Sequence, residues 1–412
     1  PIRSARALDM PWFAAGLLMI RRHRHDMTGK ASIMANDISD IPLGLQQEFF
    51  NQALAQQKTV YEATLKMWSR FFAVPRVIDR ARDVKVGTTP SEIVYEEDSL
   101  RLLRYRRDTP AVYAEPVMVC YALVNRPYIV DLQTDRSVIR QLLARGFEVY
   151  LIDWGVPTAA DRSMTLKDYI DGLIKNCVDD VLKRHKIQSL HLVGYCMGGT
   201  MATIFTARNP DIVKSLSIMA APIDFRAGKE ESLVTLWAHP DYFDVDSLVD
   251  AFGNVPATFL QASFQMMKPV QNYYSKYITF FDKMDDDKFI ENYFAMEKWT
   301  GDNIPVSGET FREFVKKLYQ RNELIKGEFK LGDELVDLSK ITCPLQILMA
   351  SADHLVPPSQ SEALKAKVGS KDVKCRTLDA GHIGLSVSSK AHKVFWPEVT
   401  QWLADRSGRV SY

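Results

Sequence analysis

The chain has 412 residues, 46% of them hydrophobic and 25% charged, a composition that is typical of a globular protein and excludes extensive disorder. The formal net charge is +1, so no overall attraction to nucleic acid or to an anionic membrane is expected. Five scattered cysteines without a CxxC pair indicate a reduced, cytoplasmic protein without a zinc site or a redox dithiol.

The first 43 residues contain an apolar run, residues 10–20, that is followed by a basic cluster. The run is too short to span a bilayer, and no small-residue cleavage site follows it. We interpret residues 1–43 as a disordered or spurious extension, with Met27 or Met34 as the candidate start. A membrane or targeting segment is the alternative.

An amphipathic helical segment is predicted for residues 44–89. Its helix covers residues 44–74, where apolar side chains recur at helical spacing, and Pro75 ends it. This aromatic stripe must pack on something, either the protein's own core or a partner subunit or hydrophobic particle. The stripe consists of Phe50, Leu54, Tyr61, Leu65, Trp68 and Phe72.

Eight β-type runs alternate with helical ones after Pro90, which indicates a mainly parallel sheet with crossover helices. The first two runs resemble an antiparallel hairpin, and most of the others are apolar throughout, as in strands buried on both faces. We therefore predict an α/β-hydrolase fold whose catalytic core comprises residues 90–223 and 341–412. The runs are residues 92–95, 100–105, 117–123, 148–152, 189–193, 215–219, 345–350 and 373–377.

The alternation stops between residues 224 and 340, where helical and loop-like sequence carries clusters of aromatic residues. This stretch lies between the sixth and seventh predicted strands. By analogy with the fold, we predict a helical cap over the active site.

A nucleophile elbow is predicted at Cys196. The residues from Gly194 to Gly199 read GxCxGG and stand between a predicted strand and a predicted helix. Small residues flank the nucleophile because the turn is tight. The N-terminus of the following helix favours a thiolate and offers the Met197 N–H to an oxyanion.

Two further residues complete a predicted triad with Cys196. Asp353 follows the seventh strand and His382 follows the eighth, and this order of nucleophile, acid and histidine is the order of the fold. His354 adjoins Asp353, but His382 fits the position of the base better. The second oxyanion donor is expected in the loop after the third strand, at the backbone N–H of Val124 or Asn125.

A cysteine nucleophile suits acyl transfer to an alcohol. Attack on a thioester gives another thioester, so the bound acyl group stays activated for transfer to a hydroxyl. Such an enzyme must exclude water, and a capped, aromatic-rich site is suited to that.

Several strings of residues resemble the polyhydroxyalkanoate synthases, in particular the short catalytic subunit of the two-subunit type (class III or IV). The strings are residues 121–128, 149–155, 194–199, 296–299 with Asp302, 308–311, 353–358 and 381–384. The chain departs from that family at Met197, where glutamine is common, and in its longer amino terminus.

The resemblance implies a polymerase that joins 3-hydroxyacyl groups from coenzyme A thioesters, with 3-hydroxybutyryl-CoA as the expected substrate. It implies that Cys196 carries the growing polyester, that His382 is the base, and that Asp353 either orients His382 or helps to activate the incoming 3-hydroxyl. It further implies an accessory subunit or self-association, and work at cytoplasmic polymer granules. We expect no cofactor, no metal and no nucleic acid, since coenzyme A is only the leaving group.

Four further residues, together with His354, are candidate substrate contacts. Asp153 and Trp154 follow the fourth strand, where a turn with a packed tryptophan is the simpler interpretation. Trp299 and Asp302 belong to the predicted cap, where packing explains them equally well. A hydrolase of the same fold, of the thioesterase, dienelactone hydrolase or depolymerase type, and a silent scaffold subunit of the granule are the alternatives.

Overall fold

The computed structural model describes residues 83–228, 237–267 and 276–410, and single residues between 55 and 79. The chain divides into two compact units, Pro1–Pro75 and Arg76–Tyr412. The predicted extension 1–43 lies outside the described residues. Of the predicted helix 44–74, the described residues are all helical, namely Ala55, Lys58, Glu62, Thr64, Leu65 and Arg70.

An eight-stranded sheet forms the centre of the second unit. Its order is β1-β2-β4-β3-β5-β6-β7-β8, in which β2 runs antiparallel to β1 and β4, and the remaining neighbours are parallel. The predicted hairpin, the eight strands and the α/β-hydrolase fold are confirmed. The strands are β1 Ser91–Glu97, β2 Leu100–Tyr105, β3 Val117–Cys120, β4 Val149–Asp153, β5 Leu190–Tyr195, β6 Val213–Met219, β7 Leu345–Ala350 and β8 Val373–Leu378.

Burial along the sheet follows the sequence pattern. Every residue of β3, β4, β5 and β7 is buried, as expected for apolar strands with helices on both faces. The edge strand β8 carries alternating charged residues and is partly exposed. The parallel register places Cys120 opposite Gly194 and Tyr195 opposite Met219, so the carboxyl ends of β3, β5 and β6 meet at one edge.

In the described part of the second unit, twelve α-helices have defined bounds, besides several 3-10 and π-helical segments. The central one, α3, follows β5 directly, and all but its last residue are buried. They are α1 Val138–Arg145, α2 Lys175–His185, α3 Met197–Arg208, α4 Val245–Phe252, α5 Ala257–Met266, α6 Lys276–Asp282, α7 Asp287–Gly301, α8 Gly308–Glu313, α9 Glu323–Lys326, α10 Pro358–Glu362, α11 Gly384–Val387 and α12 Trp396–Ala404.

The chain between β6 and β7 contains α4 to α9 and a short antiparallel ribbon, Lys330–Leu331 with Glu334–Leu335. Aspartates begin two of these helices: Asp244 accepts the N–H groups of Asp246 and Ser247 ahead of α4, and Asp286 caps α7 in the same way. The insertion is therefore helical. Its predicted limits, residues 224 and 340, stay a prediction.

Among the helices that the structure describes, none combines the length and the apolar character needed to cross a bilayer.

Candidate active site

Cys196 stands at the sharp turn between β5 and α3. Its φ and ψ angles are 55° and −130°, a conformation that non-glycine residues rarely adopt. A Cβ atom on Gly198 would lie 2.3 Å from the Cys120 carbonyl oxygen, so only glycine fits there. The Cys196 N–H donates to the Met219 carbonyl over 2.9 Å. These contacts hold the strained turn that exposes the thiol at the edge of the sheet.

Three side chains that are far apart in sequence meet at this turn. The Nδ1 atom of His382 lies 2.7 Å from Oδ2 of Asp353, and the Cys196 side chain interacts with the same imidazole. Because Nδ1 faces the carboxylate, Nε2 is the ring nitrogen that can serve the sulfur. The structure thus brings the three residues of the predicted triad together at the turn.

Both oxygens of Asp353 are occupied. Oδ1 accepts the backbone N–H groups of Leu355 and Val356, each over 2.9 Å, while Oδ2 faces His382. The carboxylate side chain is 0% exposed. This arrangement suits a group that orients the imidazole. The adjacent His354 is half-buried, and it is the ring of His382 that meets the carboxylate.

The charge on His382 is stabilised by its neighbours. Burial acts to lower the pKa of His382, but the charges and hydrogen bonds of Asp353 and Cys196 outweigh it and raise the pKa to about 10. At neutral pH the imidazole beside the sulfur is therefore protonated.

Tyr195 fixes the backbone and the ring of His382. Its ring stacks on the imidazole with centroids 5.4 Å apart, and its hydroxyl donates to the His382 carbonyl over 2.9 Å. Sequence reasoning missed this residue, because it fills a variable position of the GxCxG pattern. Since it directly precedes Cys196, it links the nucleophile to the base.

The candidate oxyanion donors differ in availability. The Met197 N–H belongs to the first turn of α3, where helical N–H groups lack partners within the helix. Val124 N–H makes no hydrogen bond with any described residue, whereas the Asn125 N–H donates to Oδ1 of Asn303 over 3.2 Å. Met197 and Val124 are therefore the available pair in this conformation, and Asn125 is not.

Asp153 and Trp154 use their polar atoms within the scaffold. Asp153 pairs with Arg101 over 2.6 Å and accepts the Gly155 N–H over 3.1 Å. The Trp154 indole N–H donates to the Tyr121 carbonyl over 2.9 Å. The structure thus gives both residues a role in holding the loops beside the site.

Trp299 and Asp302, at the end of α7, contact the loop after β3. The Trp299 indole N–H donates to the Arg126 carbonyl over 2.9 Å. Asp302 accepts from Nε of Arg126 over 3.4 Å and from the Tyr128 hydroxyl over 3.2 Å. These two residues thus contact the loop that carries a candidate oxyanion donor.

Two buried phenols have Cys196 among their neighbours. Burial raises the pKa values of Tyr121 and Tyr319 above their ordinary range, so both stay neutral. Tyr121 packs edge-on against Tyr195 with centroids 5.4 Å apart. Sequence reasoning did not select Tyr319. The half-buried Cys196 thus has aromatic side chains near it.

No group of three or more His, Cys, Asp or Glu side chains that could hold a metal ion occurs within residues 83–228, 237–267 and 276–410 or the single described residues before them.

Two families match the chain. The alpha/beta hydrolase fold matches residues 115–388, and the family described as poly-beta-hydroxybutyrate polymerase (PhaC) N-terminus matches residues 81–142.

Similar curated proteins carry the name poly(3-hydroxyalkanoate) polymerase subunit PhaC. That of Haloferax mediterranei is 42% identical over 355 residues, which are 86% of this chain and 72% of the relative. That of Allochromatium vinosum is 43% identical over 328 residues, 79% of this chain and 91% of the relative. That of a Synechocystis species is 43% identical over 329 residues, with 79% and 86% covered.

Proposed function

Because this chain belongs to the poly(3-hydroxyalkanoate) polymerase family and is a polyhydroxyalkanoate synthase, we propose that it polymerises (R)-3-hydroxyacyl-CoA through a thioester on Cys196. The expected monomer is 3-hydroxybutyryl-CoA. The observation that carries this mechanism is the His382–Asp353 hydrogen bond beside Cys196 at the nucleophile elbow.

Acylation is the first step of the proposed cycle. His382 holds the proton of the Cys196 thiol, and the thiolate attacks the thioester carbonyl of the substrate. The backbone N–H groups of Met197 and Val124 stabilise the oxyanion. When the carbon–sulfur bond to coenzyme A breaks, His382 returns the proton to the leaving thiolate, which departs as coenzyme A.

Chain extension uses the same base. The 3-hydroxyl of a second hydroxyacyl-CoA gives its proton to Nε2 of His382 and attacks the Cys196 thioester. A new ester bond forms and the Cys196 thiolate is released. The lengthened acyl-CoA then acylates Cys196 again, with loss of its coenzyme A. The energy of each ester bond comes from a thioester, so the proposed cycle needs no cofactor.

Asp353 acts through His382 in this scheme. Its Oδ1 atom accepts two backbone N–H groups, its Oδ2 atom faces the imidazole, and the side chain is 0% exposed, so the hydroxyl of the substrate cannot reach it. An ionised carboxylate in this position keeps Nδ1 protonated and so keeps Nε2 directed at sulfur.

The proposed setting is the surface of a polyester granule in the cytoplasm, with an accessory synthase subunit or a second copy of the chain as partner. The relatives are named as subunits, which supports a partner. Deleting residues 44–74 tests this part: we expect loss of complex formation or granule binding. Unchanged activity, assembly and granule binding would exclude a docking role for the segment.

Release of coenzyme A from 3-hydroxybutyryl-CoA tests the function, with mass analysis of the product. We expect Cys196→Ala to abolish release, and the wild type to give a high-mass polyester. Cys343→Ala is the matched control, because Cys343 is also free and half-buried but precedes β7. Free 3-hydroxybutyrate without polymer would indicate a thioesterase. Release of coenzyme A by Cys196→Ala would overturn the assignment of Cys196 as the nucleophile.

A further inference from the structure

We propose that residues 299–303, at the end of α7, are positioning residues for the loop of residues 124–128. Because Asn303 binds the N–H of Asn125, the N–H of Val124 is the oxyanion donor of that loop. This inference rests on the proposed function, since it names what sets the oxyanion site. The two segments are far apart in sequence but meet through four hydrogen bonds.

Trp299 and Asp302 hold the far end of the loop. The indole N–H of Trp299 binds the Arg126 carbonyl, and Asp302 binds both the Arg126 guanidinium and the Tyr128 hydroxyl. Burial and then the neighbouring Asp302 charge raise the pKa of Tyr128, so its hydroxyl remains a donor to the carboxylate. A backbone carbonyl and two side chains of the loop are thereby fixed to α7.

Asn303 holds the middle of the loop. Its Oδ1 atom accepts the N–H groups of Asn125, over 3.2 Å, and Ile304, over 2.9 Å, while its Nδ2 atom donates to the Ala257 carbonyl over 3.2 Å. The side-chain amide is thus fixed with oxygen towards the loop. Asn125 has a φ of 65°, a left-handed conformation that asparagine tolerates better than most residues.

The near end of the loop is fixed on the nucleophile side. The Tyr121 carbonyl accepts the Trp154 indole N–H, and a Cβ atom on Gly198 would lie 2.4 Å from the same oxygen. The loop therefore starts against α3 and ends on α7. Between these anchors, Val124 keeps an N–H that bonds to none of the described residues, and the adjacent N–H of Asn125 is occupied.

The consequence for catalysis is geometric. An oxyanion donor contributes when it lies about 2.7–3.1 Å from the developing charge, so a small movement of the loop removes much of its effect. Loss of the Asn303 carbonyl would free the Asn125 N–H and let the peptide groups on either side rotate. Cys196 and His382 are not bonded to this segment, so the reactivity of the thiol should be the same as in the wild type.

The experiment compares Asn303→Leu, which has a similar shape without the acceptor, with Asn303→Asp, which keeps an acceptor. Asn254→Leu is the control, because Asn254 also joins this insertion to the core, through the Thr158 carbonyl. Three quantities are measured: single-turnover release of coenzyme A from 3-hydroxybutyryl-CoA, release of nitrophenol from p-nitrophenyl butyrate, and alkylation of Cys196 by iodoacetamide, which needs no oxyanion site.

We expect Asn303→Leu to slow acylation by both acyl donors about tenfold or more, with KM and the alkylation rate within about twofold of wild type. Asn303→Asp should recover most of the acylation rate, and Asn254→Leu should behave as wild type. A rise in KM alone would make Asn303 a substrate contact and overturn the proposal, as would parallel loss of alkylation or no effect. A wild type that reacts with the ester but not with the thioester would refute the proposed function, while the ester still tests Asn303.

Discussion

Replacing Asp353 by asparagine should remove the orientation and the charge of His382 together. The amide oxygen can still accept the N–H groups of Leu355 and Val356, but its NH2 group then faces Nδ1 of His382 where an acceptor stood. The imidazole can accept a hydrogen bond from this NH2 group only if Nδ1 loses its proton. Nε2 then carries hydrogen towards Cys196 and cannot act as the base.

The size of the effect follows from the pKa of His382. Raising that pKa from 6.5 to about 10 corresponds to roughly 5 kcal/mol of preference for the imidazolium. Asp353 and Cys196 share this stabilisation, and the loss of even one pKa unit of it, about 1.4 kcal/mol, is about tenfold in rate. The wrong tautomer adds to this, so about tenfold is the smallest loss expected.

Single-turnover release of coenzyme A measures this loss, with circular dichroism and thermal unfolding to show that the variant is folded. Asp379→Asn is the matched control, because Asp379 is an 82% exposed carboxylate paired with Lys390 after β8. We expect the control to keep the wild-type rate. A loss below about threefold in folded Asp353→Asn would refute the orienting role.

Three further predictions concern the same site. Because the pKa of His382 is raised in the folded state, its contribution to the free energy of unfolding is complete below pH 6.5 and is lost as the pH rises towards about 10. Urea unfolding of His382→Gln should therefore decline less across that range than wild type; an identical decline would contradict the assignment. Gly198→Ala should lower the free energy of unfolding by about 2 kcal/mol or more, since its Cβ meets the Cys120 carbonyl, whereas Gly172→Ala, with open space around it, should be neutral or slightly stabilising in the same thermal melts. Tyr195→Phe keeps the ring on His382 but loses a hydrogen bond worth about 1 kcal/mol, so kcat should fall several-fold at unchanged KM, and an unaltered kcat would show that this bond is dispensable.

The sheet and the triad could be predicted because their signals are local. Strands that are buried on both faces must be apolar along their length, and each triad residue lies within about four residues of the end of a strand. The fold then brings the carboxyl ends of those strands together. Position along the chain thus sufficed to find Cys196, Asp353 and His382.

The contacts of the insertion could not be predicted in the same way. Asn303 and Asn125 are 178 positions apart and meet through one side-chain amide and one backbone N–H, neither of which leaves a pattern in sequence. The same holds for the Trp299 indole on the Arg126 carbonyl. Both candidate donors of the loop therefore looked equivalent until the structure showed that Asn125 is occupied.

The place of the insertion between β6 and β7 has a consequence for the order in which the enzyme is made. Cys196 is synthesised before the insertion, while Asp353 and His382 come after it, on the last two strands. A nascent chain therefore carries the thiol for the whole time that the insertion is being translated, without the base that activates it. The triad can form only once β7 and β8 have joined the sheet, by which time the whole insertion has been synthesised.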